Sequence, residues 1–284
     1  MTYRQLCCIL RDAKMEDAEW DALCLMEHFC AVSPSLLRAA PDRDYESVAL
    51  TDAIRRRLAH EPLQYILGEW EFYRQTYEVT PDCLIPRSDT EILVDTAIRL
   101  LPIGARFADL CTGSGCIAVS TLAERPDTSA VALEKFPATL SLAARNATKN
   151  RVDARFEGIL GDVLAPVSAL IEKAPFDAIL SNPPYIPTKD IAALSPEVHR
   201  EPAAALDGGE DGLLFYRAIL EYHASLLKKD GFILFEIGFD QADDLISLGK
   251  AHHFAHVHVI RDLGGRDRVV YLSNIPFDER SSLL

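Results

Sequence analysis

From Arg106 onward, short apolar runs alternate with segments of helical periodicity, and this alternation constrains the chain more than any other feature. The runs 106–110, 129–134, 154–160, 176–181, 231–237, 255–261 and 268–273 read as strands. Segments 115–125, 137–149, 212–228 and 239–251 lie between most of them and carry helical spacing. Strands buried on both faces read as continuous apolar runs, and helices between them cover those faces, so the pattern predicts a doubly wound α/β sheet. Only residues 262–267 separate the last two strands, too few for a helical crossover, so that pair must be antiparallel. The expectation is a Rossmann-like, seven-stranded mixed sheet.

The region before it differs. In residues 1–67, Leu6, Ile9 and Leu10, then Trp20, Leu23 and Cys24, then Ile54 and Leu58 recur at three-to-four spacing. Pro34, Pro41 and Pro62 divide these stretches, which predicts a small helical N-terminal domain. Residues 68–87 are aromatic-rich, with Trp70, Phe72, Tyr73 and Tyr77, and read as a hairpin linker. Residues 88–284 form the sheet domain, entered by a helix whose Ser88-Asp89-Thr90-Glu91 start has capping-box spacing.

Composition narrows the function classes. No apolar stretch approaches the ~20 residues of a membrane span, and the opening Met1-Thr2-Tyr3-Arg4-Gln5 lacks a basic region followed by an apolar core. Seven cysteines form no Cys-x-x-Cys pair, which fits reduced thiols in a cytoplasmic protein and argues against a metal site. A net charge of -14 works against tracking a phosphate backbone.

Two strand ends carry the chemistry. The first leads into Asp109-Leu110-Cys111-Thr112-Gly113-Ser114-Gly115, a strand, glycine turn and helix start that bring backbone close to a ligand. Glu134 ends the next strand, where a carboxylate can accept both hydroxyls of a ribose. Gly113-x-Gly115-x-x-Ala118 also satisfies a loose dinucleotide fingerprint. Asp109 separates the readings, because a carboxylate beside the turn repels a pyrophosphate and suits the cationic amino-acid end of S-adenosylmethionine.

The fourth strand delivers Asn182-Pro183-Pro184-Tyr185 to the same crevice. The Asn182 side-chain oxygen and the Pro183 carbonyl can together hold the two N–H groups of a primary amide or amine. The prolines fix the backbone and remove competing donors, and Tyr185 offers an aromatic face to a flat group. The long stretch 186–211, with Pro187, Pro196 and Pro202, reads as a lid or binding loop.

With these motifs the chain resembles the class I methyltransferases, and within them the release factor glutamine N5-methyltransferases (PrmC, formerly HemK). Further matching stretches are Glu61 to Gly68, Leu84-Ile85-Pro86-Arg87-Ser88-Asp89-Thr90-Glu91, Glu201-Pro202 to Gly209, and Asp262 to Arg268. The resemblance implies transfer of a methyl group from S-adenosylmethionine to the glutamine of the Gly-Gly-Gln loop of peptide chain release factors, with the helical domain gripping that partner. By position it places cofactor contacts at Cys111, Thr112, Gly113, Ser114 and Gly115, at Glu134, at Asp162 and Val163, and at Asn182. Substrate contacts fall on Asn182, Pro183, Pro184 and Tyr185. Cys111 stands where the family usually has glycine, and Glu134 where it usually has aspartate. A monomer needing neither metal nor nucleic acid is the expectation. The alternatives are a ribosomal-protein glutamine methyltransferase, which shares the site, and an adenine-N6 DNA methyltransferase, which would need a basic groove and base flipping. His252, His253, His256 and His258 read as a surface helix running into a strand, and Arg55-Arg56-Arg57 as a solvated helix face.

Overall fold

The computed structural model describes residues 1–282, which fall into two compact units. One comprises Met1–Glu69 with Ser195–Arg200, and the other Trp70–Leu194 with the residues from Glu201 onward. Among the described residues no helix is long and apolar enough to cross a membrane.

The first unit holds α1 (Tyr3–Asp12), α2 (Ala18–Cys30), α3 (Pro34–Ala39), α4 (Val48–Leu58) and α5 (Leu63–Leu67). The expected spacing buries Leu6 and Leu10 of α1 against the same interior as Leu25, Met26 and Leu37. A capping box that the sequence reading did not single out opens α1. Thr2 Oγ1 accepts from the Gln5 amide at 3.1 Å, and Gln5 Oε1 accepts from the Thr2 amide at 3.0 Å. Thr2→Ala is expected to lower the unfolding free energy by about 1 kcal/mol in urea titration. The arginine run is not a uniformly solvated face. Arg57 is 3% exposed and donates to Asp21 at 2.6 Å and to Glu197 at 2.7 Å. Arg55 and Arg56 pair with Asp52 and Glu61. Arg57 is buried because α4 turns that position toward α2, where Asp21 supplies the opposite charge.

The second unit begins at Trp70, within the hairpin of β1 (Glu69–Phe72) and β2 (Gln75–Glu78). Its Phe72 and Tyr77 pack into the core with Phe107 and Leu122, so the hairpin is part of this unit rather than a free linker. Then follow α6 (Glu91–Leu100), β3 (Arg106–Leu110), α7 (Cys116–Glu124), β4 (Ser129–Glu134), α8 (Pro137–Lys149), β5 (Phe156–Leu160), α9 (Ser168–Ile171) and β6 (Phe176–Ser181). The rest is α10 (Leu214–Tyr222), β7 (Leu227–Glu236), α11 (Ala242–Ala251), β8 (His256–Arg261), β9 (Asp267–Ser273) and α12 (Phe277–Ser282). Seven strands form one sheet in the order β5-β4-β3-β6-β7-β9-β8, all parallel but β9, which is antiparallel to both neighbours. Alternate residues serve opposite faces. Phe107, Leu180 and Phe232 enter one core with α6 and α7, while Ile179, Ile233 and Phe235 enter the other beneath α10.

Three local expectations are corrected. The helix read as 212–228 stops at Tyr222, because Leu227 already pairs with Phe176 and extends β7 backward through an irregular register. Residues 154–155 belong to a 3-10 turn rather than to β5. Ser88–Thr90 also form a 3-10 turn, and no capping box forms before α6. Thr90 Oγ1 instead accepts from Asn182 Nδ2 at 3.2 Å, and Glu91 accepts from the Tyr73 amide at 3.0 Å. Tertiary partners have displaced the local cap.

Candidate active site

The sheet register brings the two chemical motifs together. Leu110 at the end of β3 lies opposite Ser181 at the end of β6, and Ser181 Oγ donates to the Leu110 carbonyl at 2.6 Å. The chain therefore leaves both strands at one edge, Cys111 on one side and Asn182 on the other. β4 lies on the far side of β3, with Leu133 opposite Leu110, and contributes Glu134. These ends enclose a cavity of about 300 Å³.

The glycine turn is folded by its own carboxylate. Asp109 is fully buried, and its Oδ2 accepts from Thr112 Oγ1 at 2.6 Å and from the Ala118 amide at 3.2 Å. It ties the strand end to the first turn of α7, while its Oδ1 has no hydrogen-bond partner. Burial raises its pKa to about 7, against the pull of those two donors. Cys111 follows with φ +61°, the left-handed region, which explains why glycine suits this position. Gly113, also left-handed, faces open space in the cavity. Gly115 does not: a Cβ there would stand 3.2 Å from Ala143 Cβ, so its missing side chain lets α8 approach rather than a ligand.

Glu134 is held from both sides. Its Oε2 accepts from the Gly113 amide at 3.1 Å, and its Oε1 from the amides of Lys135 at 2.9 Å and Phe136 at 3.0 Å. A carboxylate has about four acceptor positions. Three are filled internally, which leaves about one open toward the cavity. Burial raises the Glu134 pKa, and the three backbone donors oppose that shift.

Cys111, Thr112, Gly113 and Ser114 line the cavity, as do Glu134, Asp162 and Val163. Asp162 pairs with Lys135 at 2.9 Å, and the Val163 carbonyl meets the His223 ring at 2.9 Å. From the Asn-Pro-Pro-Tyr motif, Asn182 and Pro184 line it. Asp109, Gly115, Pro183 and Tyr185 are not lining residues. The side chain of Tyr185 packs against the core that contains Tyr216 and Phe235 rather than opening on the cavity. Burial pushes its hydroxyl up to about 12, so it stays protonated. Gln241 Nε2 fixes its carbonyl at 3.1 Å.

Sequence reading missed several residues. Thr90 lines the cavity beside Asn182, and Phe215 adds an aromatic wall from α10. Glu201 is buried, accepts from the Ile85 amide at 3.0 Å and pairs with Arg87, joining two cavity-lining segments. The stretch 186–211 is not structureless: it carries 3-10 turns at Thr188–Ala193, Val198–Arg200 and Ala203–Ala205. The four histidines bring no metal site, since no group of three or more His, Cys, Asp or Glu is placed to hold an ion among the described residues. His258 stacks on Phe277 at 4.4 Å.

A sheet of this order with one reversed strand, and a glycine turn facing an Asn-Pro-Pro-Tyr loop across a cavity, defines a class I methyltransferase fold. Residues 2–68 match the PrmC N-terminal domain family, and residues 88–230 the Methyltransferase small domain family. The release factor glutamine methyltransferase of Cereibacter sphaeroides is 41% identical over 265 residues, covering 92% of this chain and 93% of that one. That of Geobacter sulfurreducens is 42% identical over 227 residues, covering 79% and 78%. Among solved structures, the hMettl16 catalytic domain in complex with MAT2A 3'UTR hairpin 6 is similar in fold, with a TM-score of 0.59 at 15% identity, covering 79% of this chain and 82% of that one. The chain belongs to the release factor glutamine methyltransferase family.

Proposed function

We propose that the chain methylates the side-chain amide nitrogen (N5) of the glutamine in the Gly-Gly-Gln loop of peptide chain release factors, with S-adenosylmethionine as donor. The observation that carries this reading is Asn182: its Nδ2 is committed to Thr90 Oγ1, which leaves Oδ1 to accept a hydrogen bond at a cavity shared with the glycine turn. S-adenosylmethionine supplies the methyl group, its sulfur–carbon bond breaking with the electron pair kept by sulfur as the nitrogen–carbon bond forms.

The cavity suits that donor. The open side of Gly113 makes room beside Glu134, whose remaining acceptor position takes a ribose hydroxyl. The Asp109 charge beneath the turn favours the cationic amino-acid end from behind rather than by contact. Asn182 Oδ1 accepts one amide hydrogen at the cavity wall, and the backbone carbonyl of Pro183, between the lining residues Asn182 and Pro184, accepts the other; together they aim the nitrogen and polarise it. Water takes the proton released. The unit of residues 1–69 with 195–200 is proposed to dock the release factor, in keeping with its match to the PrmC N-terminal domain family.

Incubation with labelled S-adenosylmethionine and purified release factor, with ribosomal protein and DNA in parallel, tests this reading. Label on the release factor, and loss of label when its Gly-Gly-Gln glutamine is replaced, is the expected result. Label on DNA alone would overturn it. Glu134→Gln presents an NH2 group to backbone donors that now meet carboxylate oxygens. S-adenosylmethionine binding measured by calorimetry is expected to weaken about tenfold.

A further inference from the structure

Glu236 ends β7 as Glu134 ends β4, and the function described so far does not use it. β7 lies beside β6 with Phe235 opposite Ser181, so Glu236 and Asn182 leave neighbouring strands at the same level. Glu236 is 1% exposed and is not a cavity-lining residue. Thr90 and Asn182 lie close enough to its carboxylate to pull its pKa down, and its Oε2 has no hydrogen-bond partner, while Asn182 Nδ2 bonds Thr90 Oγ1 at 3.2 Å.

A carboxamide has two chemically opposite ends that are nearly equal in shape, so its neighbours decide which end faces a ligand. The Thr90 hydroxyl cannot decide this, because it donates as readily as it accepts. An ionised carboxylate only accepts. We propose that Glu236 is a positioning residue for methyl transfer: its carboxylate holds the NH2 end of Asn182 away from the cavity, so that Oδ1 faces the substrate amide. This rests on the role given to Asn182 above. If the carboxamide were reversed, its NH2 would oppose the NH2 of the glutamine, donor against donor, and the nitrogen would not be held.

The charge state of Glu236 is set by everything packed around it. Arg268 of β9 faces it, but Arg268 also pairs with Asp89 at 3.0 Å and Asp262 at 3.4 Å, which divides its charge. Asp89 adds repulsion from the turn before α6. Tyr185 and Cys116 lie within its field, and burial holds both near 12, so neither ionises near neutrality. Burial raises Glu236 itself to about 7 despite Thr90 and Arg268. Below that pH it becomes a donor able to face Asn182 Oδ1, and the selection of one orientation is lost. Asp109 titrates in the same range, so a variant is needed to assign any wild-type pH profile to Glu236.

Glu236→Gln keeps the size and removes the accept-only character. At pH 8, kcat for release factor methylation is expected to fall about 10- to 100-fold, with KM and S-adenosylmethionine affinity within about threefold of wild type. The wild-type-to-variant ratio should shrink as pH falls through 7. In an Asn182→Ala background, Glu236→Gln should cost no further activity, because the group it orients is gone. An unchanged kcat, or a loss that multiplies with Asn182→Ala, would overturn the proposal. A second measurement stands without a protein substrate. The Asn182 side-chain amide NMR signals, assigned by their loss in Asn182→Ala, should titrate near pH 7 in wild type and not in Glu236→Gln. A flat wild-type titration overturns the positioning role. Absent release factor methylation by wild type overturns the substrate assignment instead, and the NMR titration then decides the role of Glu236.

Discussion

Asn182→Ala is expected to lower methyl transfer to release factor about 100- to 1,000-fold while leaving S-adenosylmethionine bound. In the proposed mechanism the side chain that is lost accepts one hydrogen of the substrate amide, from a fixed position. Thr90 holds its Nδ2 at 3.2 Å, and the end of β6 is locked to β3 through Ser181 and Leu110. An amide nitrogen is a poor nucleophile because its lone pair is shared with the carbonyl, so acceptors on its hydrogens and correct aim carry most of the catalysis. With the donor placed mainly at the glycine turn and Glu134, as proposed, calorimetry should show affinity within about fivefold of wild type. Turnover close to wild type would remove Asn182 from the mechanism.

Asp109→Asn should change stability with opposite signs on the two sides of neutrality. The native pKa is raised to about 7 from an ordinary 3.8. A raised carboxyl adds stability that is fully present below its unfolded pKa and is lost as pH rises through the folded one. Asp109 therefore costs the native state most above pH 7, on the order of 4 kcal/mol for a shift of about three units. Asparagine removes that cost. Its Oδ1 can still accept from Thr112 and Ala118, but its NH2 replaces an oxygen that has no partner, at about 1–2 kcal/mol. The variant should be about 2–3 kcal/mol more stable than wild type at pH 8 and about 1–2 kcal/mol less stable at pH 4. Denaturant unfolding at the two pH values checks it. A difference independent of pH would show that the Asp109 pKa is not raised in the native protein.

Strand positions were legible because strands buried on both faces leave apolar runs that few helices share. Phe176 to Ser181 and Ser129 to Glu134 fall where the runs placed them. Boundaries failed where a tertiary partner outweighed local preference. Leu227 and Lys228 read as the end of a helix, yet they begin β7, where Leu227 pairs with Phe176. Ser88 to Glu91 carry the letters of a capping box, yet Thr90 and Glu91 bond to Asn182 and Tyr73. Arg57 stands in a run of three arginines, and its burial depends on Asp21, 36 residues earlier.

By itself, the sequence determined the strand–helix alternation, the reversed last strand, and the two motifs that a parallel sheet must deliver to one edge. Those follow from periodicity, connection length and the residue types that the chemistry requires, all local properties of the chain. The tertiary structure decided which groups meet the ligand space. It turned Gly115 toward α8, set Asp109 beneath the turn, filled three acceptor positions of Glu134, and packed Tyr185 against the core. It also brought Thr90 and Glu236 to Asn182 from distant parts of the chain. The reason is physical: a side chain's accessibility and hydrogen-bond partners depend on the strands and loops packed around it, and spacing along the chain does not encode them.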